Sequence, residues 1–204
     1  MEKSIDWFTP MMTILGVIIG GLLTPLVTAT IEKSRAKNLV KPELIKTIYI
    51  FFNLRKVLLE HTNMIRLTQK GVILAHQNLL VLNSNAPNRG ELERQHTVLN
   101  TTLSETIERA NLYFQKILEV EAQIHVLMVQ VNEYYGIEKF KAIKKQIDPI
   151  LNESNSSQDL LNYDQMDQNE YNNSTSILQN KIREKGKELQ NQCDALIPKI
   201  FSKF

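Results

Sequence analysis

The sequence predicts an all-α protein: an N-terminal single transmembrane helix, a long antiparallel helical hairpin and a third, C-terminal helix, which together form an elongated helical bundle. Three observations support this class. Residues 7–31 hold no charged side chain. Apolar residues recur at 3-4 spacing over two long stretches, 43–82 and 92–135, as in packed helices. The segment SNAPNRG (84–90) between those stretches has the Asn, Pro and Gly content of a turn.

A short tail, residues 1–6, precedes the predicted transmembrane anchor at 7–31. As a helix the anchor would be about 37 Å long at about 1.5 Å per residue, against about 30 Å for the hydrocarbon core of a bilayer. Pro25 predicts a kink, because it removes a backbone hydrogen bond. A cleaved signal peptide ending at Ala29 is the alternative, but the weakly charged start and the length of the apolar run favour an uncleaved anchor.

The basic residues on either side of the anchor predict its orientation. Lys3 alone precedes it, whereas five basic residues follow it closely: Lys33, Arg35, Lys37, Lys41 and Lys46. By the positive-inside rule the N-terminus is outside and the C-terminal domain is cytoplasmic, at the cell inner (plasma) membrane. The single cysteine, Cys193, allows no internal disulfide, which fits a reducing compartment.

Small residues form one row along the predicted anchor, at Gly16, Gly20, Thr24 and Thr28. Such a row lets two helix backbones approach closely, so it is a candidate face for self-association into a homo-oligomer. The alternative interpretation is that glycine and threonine are simply tolerated in a membrane helix.

The rest of the chain divides by composition and by proline. Residues 32–41 predict a charged stalk, and Pro42 predicts a break or a new helix start. The hairpin and a short basic helix occupy 42–151, a polar acidic loop 152–176, and the last helix 177–204. Because the turn is short, facing positions of the hairpin should have numbers that sum to about 172, which places Ile48 opposite Ile124 and His76 opposite His96.

The basic helix begins where the hairpin returns the chain to the membrane. It carries an apolar side and four lysines, Lys139, Lys141, Lys144 and Lys145. An anionic leaflet attracts nearby lysines, so these four are the candidate membrane-surface residues. A solvated helix face that only keeps the domain soluble is the alternative, and Phe201 and Phe204 are a second candidate for membrane attachment.

No pattern in the sequence predicts chemistry. The four histidines form no zinc-ligand spacing, and no serine follows a glycine elbow. Cys193 falls on a predicted apolar face, where a thiol behaves as a small hydrophobe. The net charge of +2 and the lack of a basic stripe argue against a nucleic-acid partner. We therefore expect a non-enzymatic protein with no catalytic residues, no cofactor and no metal.

These observations favour a membrane-anchored cytoplasmic helical bundle that acts as a scaffold or interaction module for a protein partner that the sequence does not identify. Two alternatives stay open. The small-residue row and the predicted kink at Pro25 would also suit an oligomerising membrane effector that perturbs the bilayer. Cleavage after Ala29 would instead leave an exported coiled-coil protein.

Overall fold

The computed structural model describes residues 8–82, 86–153 and 159–204, with the backbone alone for 8–26 and 153. Over these ranges the chain forms four α-helices and no strand, which confirms the all-α class. The helices are α1 (Phe8–Val81), α2 (Arg89–Tyr135), α3 (Ile137–Glu153) and α4 (Gln168–Phe201). They pack side by side as a helical bundle, and α1 contacts both α2 and α4.

Helix α1 is continuous for 74 residues, about 110 Å at about 1.5 Å per residue. The sequence predicted a break or a new start at Pro42, and this prediction was wrong because the helix runs through that residue. Pro42 lies on the exposed side, whereas Val40 and Leu44 beside it are buried. Packing of these two residues outweighs the single backbone hydrogen bond that proline removes. The end of the predicted stalk, 32–41, therefore already belongs to the bundle core.

Helices α1 and α2 form the predicted antiparallel hairpin. The ring centroids of His76 and His96 lie 5.7 Å apart, as the register predicted, and Ile48 and Ile124 are buried in the same cluster. Asn88 occupies the N-cap position of α2, but its side chain makes no capping hydrogen bond. Helix α2 ends at Tyr135, as the predicted stretch 92–135 indicated, and Gly136 after it has a φ of 88° that favours glycine.

Helix α3 follows Gly136 directly and packs against α2 and α4. Pro149 lies inside α3, which continues through it to Glu153. Ile143 and Ile147 are buried and join the main core. The amphipathic pattern of the sequence thus corresponds to a helix that covers the half of the hairpin near Gly136.

The predicted polar loop at 152–176 is shorter than expected, because α4 begins at Gln168 rather than near Ile177. Asp167 forms a capping box with Glu170, which stabilises this earlier start. Before it, Tyr163 and Met166 are buried in a second cluster with Leu67 and Leu178. A few apolar side chains in a polar composition are therefore enough to hold the segment 159–167 against α1.

Helix α4 runs antiparallel to α1 for most of its length. The amide of Asn78 donates to Gln168 Oε1 (3.3 Å) at one end, and the hydroxyl of Tyr49 donates to Asp194 Oδ1 (3.2 Å) further along. Gly71 lies between them, and a Cβ there would overlap the side chain of Tyr171. This close approach explains a glycine inside α1 better than local flexibility does.

The main core lies in the half of the bundle that contains Gly136. It consists of 16 buried residues contributed by all four helices: Val40, Leu44, Ile48, Phe51, Phe52, Ile117, Ile124, Leu127, Met128, Val131, Ile143, Ile147, Leu189, Cys193, Leu196 and Ile200. The burial of Cys193 agrees with its predicted apolar face. On the N-terminal side of this core, most side chains of 27–39 are exposed.

The region of the predicted anchor is helical from Phe8 onward. Trp7, Gly16, Gly20 and Thr24 lie outside the residues whose side chains are described, and Thr28 is exposed. From Val27 onward, where side chains are described, no helical stretch is long and apolar enough to cross a membrane.

Candidate functional site

Four segments meet at one end of the bundle, which we call the base and define by Lys37, Lys41, Tyr135, Lys139, Phe201 and Phe204. The antiparallel helices bring together the exposed part of α1, the end of α2, the start of α3 and the end of α4. The hydroxyl of Tyr135 donates to the backbone carbonyl of Lys37 (2.7 Å). The rings of Tyr135 and Phe204 pack edge to face with their centroids 4.9 Å apart.

Lysine ammonium groups lie over the aromatic rings of the base. Lys41 Nζ is 3.2 Å from the ring centroid of Phe201 and 5.5 Å from that of Phe204. Lys37 Nζ and Lys139 Nζ lie 5.0 Å and 5.5 Å from the ring centroid of Tyr135. At exposed sites each such contact is worth about 0.5–1 kcal/mol. The rings therefore hold several positive charges at one end of the molecule.

The surface of the base is basic, with an aromatic side chain among the cations. Phe201 is 56% exposed even though Lys41 contacts its ring. Further exposed basic residues lie on the part of α1 before the base and at the end of the chain: Lys33, Arg35, Lys199 and Lys203. Burial raises the pKa of Tyr135 from its ordinary value, so its hydroxyl stays protonated and donates to Lys37 at neutral pH. The base thus combines positive charge with an accessible apolar ring.

Of the four lysines predicted to meet a membrane, the structure brings only Lys139 to the base. Its ammonium donates to the backbone carbonyl of Phe204. Lys141 pairs with Glu138 (3.7 Å) and Lys144 with Asp148 (2.7 Å), while the side chain of Lys145 is exposed. Since α3 leads away from the base, these three lie along the side of the bundle. Their role at a membrane surface stays a prediction.

Sequence reasoning named Phe201 and Phe204 as a second candidate, but it did not connect them with Lys37, Lys41 and Tyr135. The missing signal was the pairing of α1 with α4. Contacts between these helices join residues whose numbers sum to about 242, as Lys41 and Phe201 do. The polar composition of 152–176 concealed how far α4 extends, and with it this register.

A groove of about 1030 Å³ lies in the other half of the bundle, between α1, Leu103 of α2 and the segment 159–164. Three cations on its walls tie that segment to the helices. Arg66 lies 3.6 Å from Asp159, Lys70 Nζ donates to the carbonyl of Asp164 (3.2 Å), and Lys181 Nζ donates to the carbonyl of Leu160 (2.8 Å). These three cations stabilise the position of the segment that connects α3 to α4.

The titratable side chains that chemistry would need are dispersed. Within 8–82, 86–153 and 159–204, no three or more His, Cys, Asp or Glu side chains are gathered where they could hold a metal ion. Cys193 is buried, and burial raises the pKa of its thiol to about 11. At neutral pH that thiol is protonated, which makes it a poor nucleophile.

No model of a protein family, no curated protein and no solved structure matches this chain. The function is therefore argued from the sequence and the geometry of the bundle.

Proposed function

We propose that this chain is a single-pass membrane protein whose helical bundle stands on the cytoplasmic face of the plasma (inner) membrane and acts as a non-enzymatic scaffold or interaction module. The observation that carries the proposal is the continuity of α1. The apolar run at 7–31 and the inner helix of the bundle belong to one helix, from Phe8 to Val81 for the described residues. An anchor built this way would hold the bundle upright, with its base toward the lipid.

The charge distribution supports the orientation. The basic residues that follow the apolar run, Lys33 to Lys41, lead into the base, where Lys139 and Lys199 add to them. Basic residues next to a membrane helix favour the cytoplasmic side. The bundle would then lie in the cytoplasm with the small-residue row of the anchor available for self-association.

An exposed apolar face on α2 supports a role in protein contact. Ile107, Phe114 and Leu118 are spaced by 7 and 4 residues, so they lie on one face of the helix, and they are 37%, 45% and 46% exposed. Leu103 extends this face into the groove. Apolar side chains aligned on an exposed helix face are suited to packing against a helix of a partner.

Membrane flotation of the full chain tests the anchor. The wild-type protein should float with membranes after alkaline carbonate washing, because an integral helix resists extraction. Ile18→Asp with Ile19→Asp should abolish flotation, since charges in the hydrocarbon core are costly. The matched control, Leu39→Asp with Ile73→Asp, places the same charges at positions that are 66% and 50% exposed and should float normally. Extraction of the wild-type chain by carbonate would contradict the proposal.

Thiol labelling in intact cells tests the orientation. In a Cys193→Ser background, Ser176→Cys provides one exposed thiol on α4. An impermeant maleimide should label it only after the cells are permeabilised. Labelling from outside would place the bundle on the other side of the membrane and would overturn the cytoplasmic assignment.

A further inference from the structure

We infer that the base of the bundle binds the phosphate-bearing headgroups of an anionic bilayer surface through Lys37 and Lys41, whose ammonium groups lie against the rings of Tyr135 and Phe201. This inference rests on the proposed membrane anchor and adds a lipid class to it. The sequence-based prediction placed surface contact on four lysines, Lys139, Lys141, Lys144 and Lys145, with Phe201 and Phe204 as a second candidate, whereas this inference centres on Lys37 and Lys41.

The position of the base along α1 brings it close to the predicted membrane. At about 1.5 Å per residue, Lys37 is about 9 Å and Lys41 about 15 Å along the helix from Ile31, where the apolar run ends. The headgroup layer of a bilayer adds roughly 5–8 Å outside the hydrocarbon on each side. The lysines of the base therefore lie within about one screening length, roughly 8–10 Å, of anionic headgroups.

Positive charge dominates this end of the molecule. Seven basic residues lie on the base or on the helix that leads to it: Lys33, Arg35, Lys37, Lys41, Lys139, Lys199 and Lys203. The acidic residues on the same segments are Glu32, Glu133 and Glu138, and Glu138 is 3.7 Å from Lys141. The excess of positive charge complements an anionic surface and gives little attraction for a neutral one.

The aromatic rings give the base a geometry that suits an interface. Lys41 lies over Phe201 at 3.2 Å and Lys37 over Tyr135 at 5.0 Å, so the ammonium groups are oriented by ring contacts. Phe201 is still 56% exposed, so its ring holds the Lys41 ammonium at the surface that faces the headgroups. The oriented ammonium groups can bind phosphate oxygens.

The lysines of α3 are poorer candidates for the same contact. Lys141 and Lys144 each have a carboxylate partner, at 3.7 Å and 2.7 Å. They also lie on a helix that leads away from the base. An upright bundle would therefore present the base to the lipid and these side chains to water, which makes them a matched control.

The test uses the full chain in vesicles of phosphatidylcholine, with or without phosphatidylglycerol. A Cys193→Ser chain with Ser202→Cys carries one thiol beside Phe201, and its rate of labelling by a maleimide reports access to the base. We expect labelling several-fold slower with phosphatidylglycerol than without it, and recovery in high salt. Inorganic phosphate added to neutral vesicles should not slow labelling, which separates a bilayer surface from free phosphate.

Charge variants locate the contact. Lys37→Gln with Lys41→Gln should abolish the effect of phosphatidylglycerol, and Lys37→Arg with Lys41→Arg should retain it. Lys141→Gln with Lys144→Gln and Lys145→Gln should label like the parent chain. Loss of the lipid effect in this α3 variant, or equal labelling of the parent chain in both lipids, would overturn the inference.

Flotation of the same samples separates the anchor from the lipid contact. Flotation with both kinds of vesicle together with equal labelling would overturn the lipid contact alone. Flotation with anionic vesicles only would overturn the anchor and support the base. If the chain floats with neither, both proposals are wrong.

Discussion

The two halves of the hairpin have the same sequence pattern and different burial. In the half near Gly136, all four helices contribute to the main core, and Ile124 and Val131 of α2 are 1% and 0% exposed. In the other half, the buried residues of α2 begin only at Ala110, so none lies in the described stretch 89–109. The 3-4 spacing continues through both halves, and the difference comes from what covers the hairpin. Near Gly136, α3 packs against α2 and removes its seam from water, whereas in the other half α4 packs against α1.

Threonine side chains in the exposed half of α2 bond to the backbone of their own helix. The hydroxyls of Thr97, Thr101, Thr102 and Thr106 each donate to the carbonyl four residues earlier. Such bonds satisfy the side chain locally but add little to helix stability. With few buried contacts and many exposed ones, this part of α2 should open more easily than the part near Gly136.

The largest expected effect tests the difference in burial between the two halves of the hairpin. Ile124→Asp places a charge among buried apolar residues and should lower the free energy of unfolding by about 4 kcal/mol or more. Leu99→Asp changes the same seam in the other half, where the side chain is only half-buried, and should cost about 1–2 kcal/mol. Thermal unfolding followed by circular dichroism measures both. Asn162→Asp, at an exposed position, is the control, and equal stability of all three variants would refute the register.

An intermediate effect is expected from a change at Asn63, which attaches the segment 159–167 to α1. Asn63 is 0% exposed, and its Oδ1 accepts hydrogen bonds from the backbone N–H of Leu160 and the hydroxyl of Tyr163, both at 2.8 Å. Asn63→Ala leaves these two donors without that acceptor, at about 1–3 kcal/mol for each donor that stays buried and unsatisfied. Hydrogen exchange should rise over 159–167 and stay unchanged in α3. The exposed Asn162→Ala is the control, and unchanged exchange in the Asn63 variant would contradict this attachment.

The bounds and packed faces of the helices were predictable where the local sequence pattern determines them. Helix α2 ended where the predicted stretch 92–135 ends, and Gly136 after it has a φ of 88° that favours glycine. The 3-4 spacing also placed Ile124 on the packed side of α2, where it is buried. Pro42 led to a wrong prediction because the burial of Val40 and Leu44 stabilises the helix on both sides of it. That burial depends on the partner helices. The base was not predictable from local pattern. It joins residues as far apart as Lys41 and Phe201, and the link between them is the register of α4 on α1.

The smallest expected effect compares the N-caps of α4 and α2. Asp167 accepts a hydrogen bond from the backbone N–H of Glu170 (2.8 Å), and the Glu170 carboxylate accepts one from the backbone N–H of Asp167 (3.1 Å). Asn88 stands at the same position before α2 without a side-chain capping bond. Asp167→Ala should therefore cost about 1 kcal/mol, as is typical of a lost N-cap, while Asn88→Ala should change stability by only a few tenths. Chemical denaturation of the two variants beside the parent chain measures the difference. Equal losses would mean that Asn88 caps α2 in solution, and the half of the hairpin near that turn would then be better stabilised than its exposed side chains indicate.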